Sequence, residues 1–310
     1  EVNKFHGTFL SSIMKYQVKG RIHGEINQLR GDNGGTVSGR LSMSNPNLQQ
    51  VPARNKDFGP KIRSLFIPEE GYKWGSFDYS QQEPRMTVHY AASIGDGYEG
   101  SNELVEAYQN ASADFHQTVA DLVGIERTQA KTIGLGLMYG MGKNKLAISL
   151  GVSKQEADEL IIKYNKKVPF VKKLSDRCKY AADEKGVIRT KKGRKCRFDM
   201  WETRDFGLHI AEKYEDAVAK YGKDNIKRAY TYKALNRLIQ GSSADQTKQS
   251  MLDCFKAGHL PMLQIHDELC FNIKDDNHAK EIQKIMQNAI EFKVPSVVDY
   301  GLGKSWGDAK

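Results

Sequence analysis

The alternation of apolar and polar positions first becomes regular at Tyr72 to Tyr79, where Trp74, Ser76 and Asp78 share one face, and this predicts a strand. A helix is predicted directly after it. Ser80 stands as its N-cap, Glu83 three residues on completes a capping box, and Pro84 falls in the first turn, where a missing N–H does least harm. Residues 101–165 read as successive helices, 186–198 as a hairpin and 208–257 as helical again. Alternation returns with Leu263 and Ile265 before His266-Asp267-Glu268, and with Leu269, Phe271 and Ile273 after it: a hairpin with acids at its tip. Asn277 to Phe292 has the period of an amphipathic helix. Strands enclosing a long helical insertion predict an α+β chain whose sheet is built from both ends of the sequence. The turn cluster Gly31-Asp32-Asn33-Gly34-Gly35 suits a domain edge.

Composition narrows the class. Hydrophobic residues at 39% and aromatics at 9% exclude disorder. No run approaches the roughly 18 apolar residues of a membrane span, and Glu1 to Gly20 is too polar for a signal peptide, so no membrane partner is expected. Cys178, Cys196, Cys254 and Cys270 lie far apart without Cys-x-x-Cys spacing. That argues against zinc ribbons, redox motifs and disulfide scaffolds, and for a reducing compartment such as a cytoplasm. Lys+Arg 47 against Asp+Glu 38 leaves +9, which permits nucleic acid, an anionic membrane face or an acidic partner. The charge is concentrated: Lys163 to Arg197 holds 14 Lys/Arg against Asp176, Asp183 and Glu184, a net +11. With Tyr164, Phe170, Tyr180 and Phe198 interleaved, this stretch has the composition of a surface that tracks phosphates, or of a solvated helix face followed by a basic hairpin.

Three constellations could carry chemistry. Asp78 at a strand end and Asp267 at a hairpin tip, brought together, could hold a pair of Mg²⁺ ions for phosphoryl transfer; singly, each reads as a turn or cap residue. Arg127, Lys131, Leu135 and Tyr139 are four apart and form one helical stripe that grades from cations to an aromatic. Cations suit a triphosphate, and the apolar end suits sugar and base. Gly134 and Gly136 each cost a helix about 1 kcal/mol, a cost that a ligand close to the backbone or tight helix packing would explain; the graded face favours the ligand. Tyr232, Asn236 and Gln240, again four apart, offer amides to a duplex minor groove or make a solvated polar face.

Taken in order, these elements resemble family A DNA polymerases, the bacterial DNA polymerase I and phage replicase group. Ser38-Gly39-Arg40-Leu41 with Pro46-Asn47-Leu48-Gln49 is similar to the segment leading into that family's palm. Asp78-Tyr79-Ser80-Gln81-Gln82-Glu83-Pro84-Arg85 resembles motif A, Arg127 to Gly140 motif B, and Gln264-Ile265-His266-Asp267-Glu268 motif C. The resemblance implies a right-hand polymerase core: an antiparallel-sheet palm in residues 36–100 and 232–310, helical fingers in 101–231, and residues 1–35 as a linker or thumb remnant. It implies two Mg²⁺ ions, with Mn²⁺ as a substitute, held by Asp78, Asp267 and the backbone carbonyl of Tyr79, with Glu268 beside them. Gln81, His116, Arg127 and Lys131 would hold the incoming dNTP, Lys131 also serving as proton donor to the leaving pyrophosphate. Glu83 would be the steric gate against a 2′-hydroxyl, with Leu135 and Tyr139 beside sugar and base. Arg40, Asn236, Gln240, Gln264 and His266 would line the primer-template DNA.

Four departures bear on these roles. Leu135 stands where the family usually has Phe or Tyr, Pro84 where an aliphatic is commoner, and Tyr232 where several relatives carry Arg. Residues 1–35 are too few for a long helical thumb, so weak processivity is expected, along with further domains or a processivity factor. Two rivals are a single-subunit RNA polymerase, against which Glu83 argues, and a non-catalytic remnant kept for nucleic-acid binding, against which the joint presence of Asp78, Asp267, Arg127 and Lys131 argues.

Overall fold

A four-stranded antiparallel sheet organises one part of the molecule. Its strands are β1 (Lys73–Tyr79), β2 (Leu263–Ile265), β3 (Glu268–Ile273) and β4 (Val298–Gly303), in the spatial order β2-β3-β1-β4. The computed structural model describes every residue except 1–4, 30, 32, 33, 53, 54, 56, 110–113, 206, 208 and 310. Asp32 and Asn33 of the predicted turn cluster therefore lie outside the described residues.

β1 is buried on both faces, so each side of the sheet carries its own core. Trp74 packs with Ile62, Leu263, Ile265 and Trp306 on one side. Phe77 and Tyr79 pack with Leu269, Phe271, Ile282 and Met286 on the other. Trp306 is fully buried, its ring stacked on Trp74 at 6.1 Å and edge-on to Phe66 at 5.6 Å. β4 escapes a sequence-pattern reading because Gly301 and Gly303 interrupt its alternation. Gly303 has a packing reason: a Cβ there would lie 2.6 Å from the backbone nitrogen of Ala309.

Ten helices of eight residues or more follow the chain among the described residues: α1 (Gln82–Ala92), α2 (Ser101–Gln109), α3 (Phe115–Val123), α4 (Arg127–Met138), α5 (Lys143–Leu150), α6 (Lys154–Lys167), α7 (Pro169–Lys185), α8 (Tyr214–Tyr221), α9 (Ala234–Lys256) and α10 (Asp276–Asn288). The chain divides into residues 1–82 with 243–310, which contain the sheet, and residues 83–242, which are mainly helical.

Two expectations are corrected. The helix after β1 begins at Gln82, not after an Ser80 cap. Gln81 takes a left-handed φ of +52°, and the Ser80 N–H donates to the carbonyl of Val297 at 2.9 Å, so that N–H is engaged with a residue remote in sequence. The 208–257 stretch is not continuously helical either: Ile226–Arg228 pairs antiparallel with Trp201–Thr203. Ile226–Arg228 carries two cations in three residues and shows no apolar alternation.

Candidate functional site

The acidic end of the sheet is set by strand register. Asp78 lies directly opposite Glu268 of β3 and, on its other side, opposite Asp299 of β4. Neighbouring strands run about 4.8 Å apart, so three carboxylates stand in one row across the sheet. Asp267 precedes Glu268 in the two-residue turn joining β2 to β3, which brings it beside the end of β1 that carries Asp78. Its turn partner His266 has φ +56°, a left-handed conformation that costs a non-glycine residue about 1 kcal/mol. Gln264 holds this turn: its amide donates to the His266 carbonyl at 2.7 Å while its Oε1 accepts from Gln49 at 3.0 Å. Asp78 and His266 are exposed, and Asp267 is half-buried.

Tyr79 and Glu268 are fixed by their surroundings. The Tyr79 hydroxyl donates to the Met286 carbonyl at 2.6 Å and lies 2.5 Å from Ser250 Oγ; burial pushes its pKa up. With the phenol so engaged, the backbone carbonyl is the donor Tyr79 has left for a cation. Glu268 Oε1 accepts from Trp306 Nε1 at 3.1 Å and from the Cys270 thiol at 3.5 Å. Arg63, absent from the motif reading, lies 4.4 Å over the Trp306 ring. Burial lowers its pKa, while Glu268 and Cys270 oppose that shift. Its Nε and Nη1 have no hydrogen-bond partner among the described residues. The guanidinium is thus a buried cation beside Glu268, packed against the Trp306 ring. A single Arg between Ile62 and Ser64 gives no motif, so only packing could reveal it.

Two carboxylates and a carbonyl are hard oxygen donors suited to Mg²⁺. Among the described residues no group of three or more His, Cys, Asp or Glu side chains converges to hold a metal. Mg²⁺ commonly takes only one or two carboxylates and completes its shell with water and phosphate oxygens, so Asp78 and Asp267 fit it.

The second constellation lies in residues 83–242. Arg127, Lys131 and Leu135 stand on α4 with Tyr139 as its C-cap residue. Asp114 caps α3 through the N–H groups of His116 (2.9 Å) and Gln117 (3.1 Å), and its other oxygen takes Nε (2.9 Å) and Nη2 (2.5 Å) of Arg127. Burial raises the Asp114 pKa, but Arg127 and the two N–H groups outweigh it and hold the carboxyl below its ordinary value. Asp114 therefore aims the guanidinium, a role the motif spacing does not reveal. Tyr139 donates its hydroxyl to Glu83 Oε2, and the backbone carbonyl of Glu83 accepts from Thr87 at 2.9 Å. The proposed gate is thus braced by the aromatic end of the stripe.

Gly134 and Gly136 owe their place to packing, which corrects the ligand-facing expectation for them. Both are buried, and added Cβ atoms would lie 3.1 Å from the Tyr164 hydroxyl and from Leu146 Cδ1 respectively. Lys131 and Tyr139 are exposed and Leu135 half-buried, so the stripe itself faces away from those helices. Asn236 and Gln240 lie one turn apart at the start of α9, both half-buried, whereas Tyr232 belongs to a separate 3₁₀ turn, Thr231–Lys233, and does not continue their face. Arg40 is half-buried in the strand-poor segment before Leu41.

His116 is buried, its Nδ1 unpartnered among the described residues. Burial pushes its pKa down to about 4; Asp114 opposes the shift, and Lys131 and Arg127 reinforce it. At neutral pH the ring would meet a phosphate as a neutral N–H donor. The unfolded chain binds this proton near pH 6.5 and the folded one only near 4. Stability should therefore fall by up to about 3 kcal/mol as the pH drops between those values. His116→Gln should flatten that slope in urea unfolding followed by tryptophan fluorescence; an unchanged slope places the acid sensitivity elsewhere.

Comparison with known proteins gives one consistent result. The model of DNA polymerase family A matches residues 1–308. The chain is 39% identical to the DNA-directed DNA polymerase of Pseudomonas phage M6, covering 99% of this chain and 50% of that protein. It is 30% identical to DNA polymerase DpoZ of Vibrio phage phiVC8 (99% and 48%) and to DNA polymerase I of Geobacillus stearothermophilus (100% and 34%). The POL domain of Pol1 from M. smegmatis, solved in complex with DNA primer-template and dNTP, superposes with a TM-score of 0.79 at 28% identity, over 99% of this chain and 52% of that one. The chain thus spans about half or less of the length of these phage and bacterial relatives. Motif order, the antiparallel sheet and the family match agree: the chain belongs to the family A DNA polymerases.

Proposed function

We propose that this chain is the catalytic core of a template-directed DNA polymerase that extends a primer 3′-hydroxyl with dNTPs. The observation that carries the proposal is the register that sets Asp78 beside the Asp267–Glu268 turn, at the exposed end of a sheet buried on both faces. Asp78, Asp267 and the Tyr79 carbonyl would hold two divalent cations, Mg²⁺ by preference. Cations bound there lower the pKa of the primer hydroxyl and neutralise charge on the phosphates.

The remaining roles belong to side chains. Arg127, aimed by Asp114, and Lys131 bind the triphosphate, with neutral His116 and Gln81 as hydrogen-bond donors. Lys131 delivers a proton to the departing pyrophosphate. Glu83, held by the Tyr139 hydroxyl, fills the space a ribose 2′-hydroxyl would need, and Tyr139 flanks the base. Arg40, Asn236, Gln240, Gln264 and His266 contact the primer-template duplex, the amides through groove acceptors. Residues 36–100 and 232–310 would then act as palm and residues 101–231 as fingers.

The decisive experiment is extension of a primed template with dNTPs or rNTPs, with Mg²⁺, with Mn²⁺ and with a chelator. Metal-dependent dNTP incorporation is expected; DNA binding with no extension in any condition would leave only a binding remnant. Glu83→Ala should raise rNTP relative to dNTP incorporation by about tenfold or more, and Tyr139→Phe should shift it less, in the same direction. Unchanged selectivity in Glu83→Ala would reduce Glu83 to a helix-terminus acid.

A further inference from the structure

Among the described residues, the densest positive charge lies on a feature that neither constellation uses. Val187–Arg189 and Lys195–Arg197 form an antiparallel hairpin following α7. Ile188 and Cys196 are buried on its inner face, while Arg189, Lys195 and Arg197 share the exposed one, with Arg189 directly opposite Lys195. Like charges placed opposite each other on a sheet repel. Among the described residues none of Arg189, Lys192, Lys195 and Arg197 has a carboxylate within ion-pair distance.

Other residues hold the hairpin in place. The Lys191 N–H donates to the Tyr90 hydroxyl at 3.0 Å, which lies 2.6 Å from Ser242 Oγ. Arg237, at the start of α9, stacks on Phe198 at 4.4 Å and donates to the Arg197 carbonyl at 2.8 Å. Arg228 donates to the carbonyls of Asp183 and Phe198 and fills the space where a Cβ on Gly186 (φ +64°) would sit, 2.6 Å away. The structural cations are therefore Arg228 and Arg237, and the exposed row is held rigidly without taking part in that support. Its location is informative. Tyr90 stands seven residues along α1 from Glu83, about 10 Å of helix, or roughly three stacked nucleotides at 3.4 Å each. Tyr180, 66% exposed on the helix leading into the hairpin, offers an aromatic face for a base.

Resting on the polymerase reading, we infer that the 187–197 hairpin binds the single-stranded template overhang a few nucleotides ahead of the pairing position. Arg189, Lys195 and Arg197 hold successive phosphates, and Tyr180 stacks on a base. The test is fluorescence anisotropy on primer-templates with overhangs of one, three, six and ten nucleotides, at 50 to 200 mM salt. Wild-type affinity should rise once the overhang passes about three nucleotides. In Arg189→Gln/Lys195→Gln/Arg197→Gln that gain should vanish, with the log K–log salt slope on long overhangs falling by about 2, or 0.7 per lost phosphate contact. Arg189→Lys/Arg197→Lys should keep it. An identical gain and slope in the Gln variant overturns the inference, and so does a loss already complete at one nucleotide, which would assign the hairpin to the duplex. Circular dichroism checks that the variant is folded. Failure of wild-type extension would sink the polymerase reading instead, independently of these binding curves.

Discussion

Asp267→Asn should abolish Mg²⁺-dependent primer extension, lowering kcat by about 10³-fold or more, while primer-template affinity changes by less than about twofold. Asp267 sits in a turn whose backbone is fixed by Gln264 and by the β2–β3 pairing, so an isosteric amide should leave that backbone in place. An amide oxygen is a weaker ligand for a hard cation than a carboxylate. Mn²⁺, less demanding in its ligands, should recover part of the loss. Asp299→Asn provides the contrast. Asp299 shares the acidic row but flanks Asp78 on the side away from the turn, so its loss should cost only a few-fold. If the two variants are equally impaired, the row acts as a general negative field and the assignment of Asp267 as a ligand fails.

The second large effect is expected at Lys131. Lys131→Ala should lower kcat by about 10²–10⁴-fold, the usual weight of a positioned proton donor, with an additional rise in KM for dNTP. Lys131→Arg separates the two contributions, because a guanidinium keeps the charge but does not release a proton near neutral pH. It should restore KM without restoring kcat, read in single-turnover extension so that product release does not mask the chemical step. Full recovery of kcat in Lys131→Arg would make the residue a phosphate anchor and nothing more.

The elements that could be read from the sequence are those whose own period or spacing is long enough to register. β1, the β2–β3 hairpin and the α4 stripe each repeat their pattern over several residues. What escaped was short, or was set by a partner remote in sequence. β4 is broken by Gly301 and by Gly303, the second of which packing against Ala309 requires. The start of the helix at Gln82 was not legible, since the chain at Ser80 is tied through its N–H to Val297, more than two hundred positions away. In the candidate site the acids and the cationic stripe were visible from their motifs, but the residues that orient them were not. Asp114 and Trp306 act only through the fold that brings them to Arg127 and Glu268. Gly134 and Gly136 show the reverse error: an unusual composition suggested a ligand, and neighbouring side chains proved to be the cause.

The pairing order of the sheet also has a consequence for biosynthesis. β1 leaves the ribosome with both edges unsatisfied, since its neighbours β3 and β4 are made after the whole of residues 83–242. Those intervening residues are contiguous and can pack as soon as they are synthesised, whereas the sheet must wait for a long loop to close. The register that aligns Asp78 with Glu268 and Asp299 is therefore among the last features to form. A chain stalled before Val298 would carry every residue of motifs A, B and C, with one edge of its central strand still unpaired. Nascent chains of that length should depend most on chaperones, and the interval between synthesis of Tyr79 and Val298 is the period in which this sequence is most exposed to aggregation.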